Sequence, residues 1–258
     1  MEYGILGPVE VRDGGADIPL DGPKQRTVLA ALLIAEGSFL PDTELSRFLW
    51  GERPPRTLNA QIYTYVSRIR RTLGPRAVIN RGPHGYLMEI GAASFDLAEF
   101  RKLALRGQLE LVAGRYPEAS GLLRAALALW RGPVLADVSE QLAASEGPPI
   151  EEARISALAS RIEADLAVGM HQQVLPELTR LVGQYPLHER FRAQLMTALY
   201  RCDRQAEALA LYDSGRRMLA GDLGLEPGPL LREVHQAILS ADPVLHRPSG
   251  RPWPSRSG

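Results

Sequence analysis

The fold is decided by NAQIYTYVSRIRRTLG, residues 59–74, and by VINRGPHGYLMEI, residues 78–90. Apolar side chains recur every three or four residues in the first stretch, which is the pattern of a helix with one buried face. The second stretch has two short strand-like runs around a turn at residues 81–85, RGPHG, which is typical of a hairpin. Together they predict a helix over residues 57–73, ended by Gly74 and Pro75, and then a β-hairpin.

The residues before this helix predict two strands and two further helices. Residues 3–11 and 16–20 have the composition of short strands joined by a turn at residues 13–15, DGG. A helix is expected from about residue 23 to residue 37, and a second from residue 42 to residue 50. Strands, three helices and a hairpin in this order are typical of a winged helix-turn-helix.

The charge of this region has one sign. Between Arg53 and Met88 the chain has seven arginines and no Asp or Glu, although the whole protein has 30 basic and 30 acidic residues. A basic helix followed by a basic ribbon is the electrostatic pattern expected of a DNA-binding surface. The alternative is a solvated face, which ordinarily mixes both signs.

The predicted helix divides into two faces at about 100° per residue. The apolar face is expected to enter the core and consists of Leu58, Ile62, Tyr65, Val66, Ile69 and Leu73. The opposite face is polar and cationic, and we interpret it as a recognition surface for the major groove; it includes Ala60, Tyr63, Thr64, Ser67, Arg68 and Arg71, with Asn59 and Arg70 at its flank. Arginine can donate two hydrogen bonds to guanine, and a threonine methyl can contact a thymine methyl.

Other basic residues supplement this surface. Arg81 lies where a wing would reach a minor groove or its phosphates, and Gly82 and Gly85 are expected to permit the tight turn. His84 has two interpretations, a phosphate contact or an ordinary turn residue. Tyr86 is expected to anchor the wing in the core.

Two further cations stand at the start of the first helix. Lys24 and Arg26 are interpreted as support for DNA phosphates or, alternatively, as solvated side chains.

After residue 94 the strand signals end and amphipathic helical segments follow one another. The segment GMHQQVLPEL begins at Gly169, and DRQAEALAL begins at Asp203 in the equivalent place, 34 residues later. GRYPEASGLL at Gly114 has a related pattern and is separated from the next repeat by an expected loop at about residues 131–149. A period of 34 residues predicts tetratricopeptide-type helix pairs, which stack into a curved array that usually receives a partner.

The predicted fold is therefore an α+β winged helix-turn-helix followed by an all-α tetratricopeptide-like domain. The expected divisions are residues 1–94 for DNA binding, residues 95–241 for the helical domain, and a tail at residues 242–258 that is rich in Pro, Ser, Gly and Arg and is expected to be disordered.

No catalytic site, metal site or cofactor is predicted. The five histidines show no metal-ligand spacing, and the sequence has no phosphate-binding loop, dinucleotide fingerprint or nucleophile elbow. The lone Cys202 excludes an internal disulfide and is interpreted as a packing residue. No apolar run is long enough to span a membrane, so the protein is expected in the cytoplasm, on the nucleoid.

Three segments in this order carry a resemblance to a known family. ALWRGPVLADV at residues 128–138, RIEADLAVG at residues 161–169 and LGLEPGPLLREVHQAIL at residues 223–239 resemble the Streptomyces antibiotic regulatory protein family. In that family an OmpR-type winged helix precedes the bacterial transcriptional activation domain. The resemblance covers residues 1–241, and YVSRIRRTLG at residues 65–74 is also typical of it.

The resemblance implies an activator of a secondary-metabolite gene cluster. Its implied partners are double-stranded promoter DNA with direct repeats and RNA polymerase holoenzyme, with self-association on DNA. It also implies that Thr64 and Arg68 read bases, that Ser67, Arg70 and Arg71 contact the backbone, and that Arg81 is the wing residue.

Two departures and one alternative remain. Asp203 stands where the family has glycine before the second helix of the repeat, and His84 adds a polar residue to the wing turn. The chain lacks the ATPase and sensor domains of larger members, so a short form is expected. The alternative function is a protein-interaction adaptor whose basic patch only localises it to DNA. For the activator, DNA binding and activation are expected to separate near Phe95, with residues 1–95 forming a complete DNA-binding fragment.

Overall fold

A computed structural model describes residues 1–246 of the chain, and three short strands lie within its first 20 residues. The strands are β1 Glu2–Gly4, β2 Glu10–Asp13, β3 Ala16–Asp17, β4 Leu40–Pro41, β5 Val78–Gly82, β6 Gly85–Glu89 and β7 Ser94–Phe95. They form a four-stranded sheet in the order β3-β2-β1-β7 and a three-stranded sheet in the order β4-β6-β5. The single strand expected over residues 3–11 is wrong, because the chain reverses after Gly4 and pairs β1 with β2 in antiparallel register.

Three helices complete the winged helix-turn-helix. They are α1 Gly22–Ile34, α2 Asp42–Trp50 and α3 Leu58–Leu73. Their shared core contains Val28, Leu32, Phe48, Ile62, Val66 and Ile69, all buried. Gly74 ends α3 with a left-handed φ of 68°, a conformation that glycine adopts without steric cost. The predicted fold of this region is confirmed.

The hairpin of β5 and β6 is tighter than predicted. Gly82 pairs with Gly85, so only Pro83 and His84 form the turn. Neither glycine has a left-handed φ, and both are needed for close packing instead. A Cβ on Gly85 would overlap the carbonyl oxygen of Leu40, and one on Gly82 would overlap the ring of Phe39. The expectation that these glycines serve the turn's backbone conformation is therefore corrected.

The rest of the described chain is helical. The helices are α4 Asp96–Val112, α5 Tyr116–Leu127, α6 Glu140–Ala167, α7 His171–Gln184, α8 Glu189–Arg201, α9 Gln205–Met218 and α10 Pro229–Leu239, with a π-helical turn at Leu219–Leu223. The loop expected at residues 131–149 is shorter, since α6 begins at Glu140 and continues through Pro148 and Pro149. Both prolines are exposed, so water can satisfy the carbonyl groups that lose their helical hydrogen bonds there.

The 34-residue repeat has a residue with a left-handed φ at the same place in each unit. Gly114, Gly169 and Asp203 each stand two residues before α5, α7 and α9, and their φ angles are 74°, 87° and 60°. The repeat therefore requires a left-handed residue at this place. Asp203 occupies it without being glycine, which short polar side chains tolerate better than most.

The beginning of the predicted tail is ordered. Pro243–His246 form a 3-10 turn, and Leu245 is 7% exposed. The Nε of Arg201 donates to the carbonyl oxygen of Leu245 at 2.5 Å. Disorder is therefore corrected for residues 243–246, and the remainder of the predicted tail, residues 247–258, lies outside the described residues.

The chain divides into two compact units at different places from those expected. One unit contains residues 1–102 and 126–155, and the other contains residues 103–125 and the described residues from 156 onward. The first unit thus includes a segment that is distant in sequence, residues 126–155, which we name the returning segment. No helix of the described chain is long and apolar enough to cross a membrane.

The returning segment is held by side-chain and backbone hydrogen bonds. Asp137 accepts from the N–H of Val9 at 2.8 Å and forms an ion pair with Arg26 at 2.9 Å. The N–H of Ser139 donates to the hydroxyl of Thr27 at 2.8 Å, at the centre of α1. The first unit is therefore a winged helix built from two separate parts of the sequence.

Candidate nucleic-acid interface

The two faces of α3 differ in burial as the sequence predicts. Ile62, Val66 and Ile69 are at most 1% exposed, whereas Tyr63 is 61% exposed. The outer positions Asn59, Ala60, Thr64, Arg68 and Arg71 are also exposed, and Ser67 is half-buried. Leu58 and Tyr65, expected in the core, are only half-buried. A polar face about four turns long therefore stands open on the winged helix.

Thr64 offers its methyl group more readily than its hydroxyl proton. The hydroxyl of Thr64 donates to the carbonyl oxygen of Ala60 at 2.7 Å, within the same helix. This bond uses the only proton the hydroxyl can donate, so the oxygen lone pairs and the methyl group remain available. A side chain in this state suits an apolar contact with a thymine methyl.

Two of the seven arginines between Arg53 and Met88 form ion pairs with acids outside that window. Arg76 forms an ion pair with Asp13 at 2.5 Å, and Arg81 forms one with Asp42 at 2.6 Å. These acids lie 63 and 39 residues away in sequence, so the acid-free window could not reveal them. The absence of acids from residues 53–88 therefore does not leave all seven arginines unpaired, because the fold brings distant acids to two of them.

Arg70 is used between α3 and the hairpin. Its Nε donates to the carbonyl oxygen of Ile79 at 3.0 Å, and its Nη2 donates to the same atom. The bonds fix the start of β5 against the last turns of α3. Arg70 thus orients the wing relative to the helix, and Nη1 is the group left for a phosphate.

Arg81 contacts Asp42, the ring of Tyr86 and the carbonyl oxygen of Gly85 at the base of the wing. Its two Nη atoms reach the two carboxylate oxygens of Asp42 at 2.6 and 2.8 Å, and its guanidinium lies 4.5 Å from the centre of the Tyr86 ring. The hydrogen bond that Arg81 donates to Asp42 is the main cause that raises the pKa of Arg81. Burial raises the pKa of Tyr86, which is 2% exposed and anchors the hairpin as predicted.

His84 occupies the exposed tip of the hairpin. Its carbonyl oxygen accepts from the N–H of Asp42 at 2.8 Å, which ties the tip to the start of α2. The imidazole is exposed, in agreement with both interpretations of this residue.

Lys24 and Arg26 have partners within the first unit. The amine of Lys24 donates to the carbonyl oxygen of Leu49, near the end of α2, and lies 5.6 Å from the centre of the Trp50 ring. Burial lowers the pKa of this amine. Arg26 donates to Leu20 and pairs with Asp137 of the returning segment. Both cations therefore stabilise the unit, and neither joins the open face of α3 through the contacts it makes.

Two exposed arginines of the described residues were not predicted from the sequence to contact DNA. Arg53 and Arg56 are exposed and have no ion-pair partner in the described part of the chain, like Arg68 and Arg71. They precede the first turn of α3, so they flank its N-terminal end. Their place in the acid-free window was the available signal, but a loop has no periodicity that could assign them a face.

A cavity of about 550 Å³ lies beside the start of α3. Its lining includes Asp42, Ser46, Leu58 and Asn59. In the described residues no group of three or more His, Cys, Asp or Glu side chains could hold a metal ion.

Comparison with known proteins identifies the family. Residues 95–239 match the bacterial transcriptional activator domain. The chain is 41% identical to the regulatory protein AfsR of Streptomyces coelicolor over 245 residues, which are 95% of this chain and 25% of AfsR. It is 34% identical to the regulatory protein DnrI of Streptomyces peucetius over 258 residues, which cover 96% of this chain and 95% of DnrI.

A solved structure is similar over nearly the whole chain. Mycobacterium tuberculosis EmbR, solved in complex with a low-affinity phosphopeptide, superposes with a TM-score of 0.88 at 37% identity. The match covers 94% of this chain and 65% of EmbR. The chain thus spans a quarter of AfsR, about two thirds of EmbR and almost all of DnrI.

The matched domain covers more than half of the chain and the match to DnrI extends over nearly all of both proteins, so the chain belongs to the Streptomyces antibiotic regulatory protein family.

Proposed function

We propose that this protein is a sequence-specific DNA-binding activator of a secondary-metabolite gene cluster, working in the cytoplasm on the nucleoid. The observation that carries the proposal is the open face of α3, where Arg68 and Arg71 stand exposed without an acid partner among the described residues. An exposed arginine without an acid partner keeps its charge available, so it can bind a phosphate or a guanine. The regulatory names of AfsR and DnrI support the same class of function.

The face divides into base-reading and backbone-contacting positions. Thr64 and Arg68 stand one turn apart, and we assign base reading to them. Ser67, Arg70 and Arg71 are assigned to the DNA backbone, together with Arg81 on the wing. Asn59 and Tyr63 extend the surface toward the start of the helix, which in helix-turn-helix proteins meets the bases.

The bound DNA is proposed to carry direct repeats spaced by about one helical turn, roughly 10–11 bp, so that two winged helices dock on one side of the duplex. The helical domain then contacts RNA polymerase holoenzyme. Its match to the bacterial transcriptional activator domain supports this division of labour.

The decisive experiment is a salt-dependent binding titration on selected DNA and on random DNA. Arg68→Ala is expected to cost about 1–3 kcal/mol on the selected site and to relax base preference at one position. The matched control is Arg232→Ala, which removes from α10 an exposed arginine that has no ion-pair partner in the described part of the chain. This control should bind both DNAs as the unaltered protein does.

Two results would reject the assignment. Equal losses on selected and random DNA for Arg68→Ala would mean that this arginine only contacts the backbone. Absence of salt-sensitive DNA binding by the full chain would favour the adaptor function instead.

A further inference from the structure

The last turn of α2 is capped by two side chains from other parts of the first unit. The carbonyl groups that end a helix have no N–H partner within that helix. In α2 the carbonyl oxygen of Phe48 accepts from the hydroxyl of Ser139 at 2.5 Å, and that of Leu49 accepts from the amine of Lys24. These donors are 91 and 25 residues away in sequence. The end of α2 is therefore completed by the returning segment and by α1.

Ser139 joins three helices through its side chain and its own backbone. Its N–H donates to the hydroxyl oxygen of Thr27 in α1 at 2.8 Å. Its hydroxyl oxygen accepts from the N–H of Leu142 at 3.3 Å, which is the bond of an N-cap for α6. A hydroxyl has one proton to donate, and here the proton goes to Phe48 of α2. The direction of this hydroxyl is therefore set by α6 on one side and by α2 on the other.

The capped turn leads directly into the connection between α2 and α3. This connection is residues 51–57, and it carries the exposed Arg53 and Arg56. It begins at Gly51, whose φ is 62°, and a Cβ there would touch the side chain of Gln141 in the first turn of α6. The two caps and this contact hold the start of the connection. The place where α3 begins thus depends on the returning segment.

A helix as short as α2 depends on its caps. It has nine residues, and isolated helices of fewer than about 12–15 residues are marginal in water. The side chains of Leu45, Phe48 and Leu49 are buried, so they keep α2 in the core when a cap is lost. The last turn alone would then open in a fraction of the molecules. DNA that needs the closed turn would bind more weakly in proportion to that fraction.

We propose that Ser139 and Lys24 are positioning residues for DNA recognition, which fix the end of α2 and thereby the place from which α3 enters the major groove. This inference rests on the proposed function, because it requires α3 to read bases. Ser139 belongs to the residues that match the bacterial transcriptional activator domain, so the sequence of that domain supplies part of the geometry of the DNA-binding face. Lys24 acts through the carbonyl group of Leu49 and not through a phosphate.

The first experiment titrates the full chain and its Ser139 variants with selected DNA and with random DNA. Ser139→Ala should weaken binding to selected DNA about three- to tenfold, which is the effect of one hydrogen bond of ordinary strength. Binding to random DNA should change little, because phosphate contacts need less exact placement of α3. Ser139→Thr keeps the hydroxyl and should bind as the unaltered protein does. The matched control is Ser145→Ala, which removes from α6 an exposed hydroxyl that donates to Glu146.

Ser139→Asp separates the two hydrogen bonds of the hydroxyl group. Aspartate is a good N-cap acceptor, so the bond from Leu142 is kept. Its carboxylate has no proton to donate to Phe48, so the cap on α2 is lost. Affinity for selected DNA should therefore fall at least as far as in Ser139→Ala. Affinity equal to that of the unaltered protein would mean that Ser139 serves the start of α6 alone, and would reject its positioning role.

The salt dependence of binding separates positioning by Lys24 from a phosphate contact. Lys24→Met keeps most of the aliphatic chain but removes the amine that caps Leu49. Affinity for selected DNA should fall about three- to tenfold with the salt dependence unchanged. A phosphate contact would instead lower the salt slope by about one on both DNAs. Lys102→Met removes the only other lysine of the chain and is the matched control, which should bind both DNAs normally.

The two positions fail independently of each other and of the proposed function. Circular dichroism checks that each variant is folded at the temperature of the titration, and Lys24→Met leaves the returning segment intact if Ser139→Ala does not fold. Unchanged affinity for selected DNA in folded variants at both positions rejects the proposal. Equal losses on selected and random DNA reject positioning, as does a lower salt slope for Lys24. A lack of salt-sensitive DNA binding by the unaltered chain rejects the proposed function itself.

Discussion

Arginine serves opposite purposes in the two units of this protein. On α3, Arg68 and Arg71 are exposed, and no acid among the described residues pairs with them. In the second unit, Arg161 is buried and binds Asp165 at 2.8 Å and Glu177 at 2.6 Å. The fold therefore neutralises the buried Arg161 with two carboxylates and leaves open Arg68 and Arg71, which face outward from α3.

This difference separates stability from binding. A buried ion pair gains its strength from exclusion of water and becomes costly when one partner is removed. An exposed arginine contributes little to folding but retains its charge for a phosphate. Substitutions of arginines or their partners should therefore affect unfolding in the second unit and DNA affinity on α3.

The largest expected effect comes from removing the returning segment and Asp96. In a fragment of residues 1–95, the buried N–H groups of Ile5 and Leu6 lose Asp96 as acceptor, and that of Val9 loses Asp137. Each buried donor without an acceptor costs about 1–3 kcal/mol, so the sum approaches the roughly 5–15 kcal/mol that stabilises a whole domain. The fragment should lack a cooperative thermal transition by circular dichroism.

This prediction differs from the expectation that DNA binding and activation separate near Phe95. The comparison fragment is residues 1–155, which retains every residue of the first unit. It should unfold cooperatively and bind DNA with salt sensitivity. A cooperative transition in the 1–95 fragment would show that the returning segment is dispensable.

The second-largest loss of stability is expected when the buried ion pair of Arg161 and Asp165 is broken. Asp165→Asn keeps the shape of a fully buried side chain that accepts from Ser120, Arg124 and Arg161 but removes its charge. Breaking a buried pair by removing one partner costs about 3–5 kcal/mol, and urea unfolding measures it. Glu207→Gln, at an exposed pair with Arg204, should leave the free energy of unfolding unchanged. Similarly small changes in the free energy of unfolding for both variants would show that the buried Asp165 pair stabilises the protein no more than the exposed Glu207 pair.

The sequence predicted the local elements well and the distant contacts poorly. The period of α3 assigned its buried face because periodicity reports a local geometry, and Ile62, Val66 and Ile69 are buried as predicted. The partners of Arg81 and Arg26 were missed because Asp42 and Asp137 are 39 and 111 residues away. No local pattern specifies which distant acid the fold brings to a given arginine. The roles of the α3 residues on DNA stay predictions.

A smaller effect is expected at Arg81 of the wing. Arg81 is exposed and also paired, since Asp42 occupies the charge that a phosphate would use. Asp42→Asn should release it, which would steepen the salt dependence of DNA binding by about one and raise affinity up to about eightfold near 0.1 M salt. Filter binding on selected and random DNA should show equal gains on both.

The control for this prediction removes a carboxylate elsewhere in the same unit. Asp17→Asn breaks an exposed pair with Arg12 and should leave DNA binding unchanged. In the double variant Asp42→Asn with Arg81→Ala, the gain should vanish. If the gain persisted, it would come from general loss of negative charge and not from the release of Arg81.

The smallest effect tests a difference between repeats of the second unit. Asp203 has φ 60°, where Gly169 of the preceding repeat has φ 87°. A left-handed conformation costs an ordinary residue about 1–2 kcal/mol, less for aspartate, and glycine gives back about 0.4–1 kcal/mol through the entropy of the unfolded chain. Asp203→Gly should therefore stabilise the protein by less than about 1 kcal/mol, measured by urea unfolding. In the reciprocal Gly169→Asp, the added Cβ would meet no atom within 4 Å, so its destabilisation would report mainly backbone strain. If Asp203→Gly destabilised the protein instead, the aspartate side chain would have a stabilising role that outweighs its conformational strain.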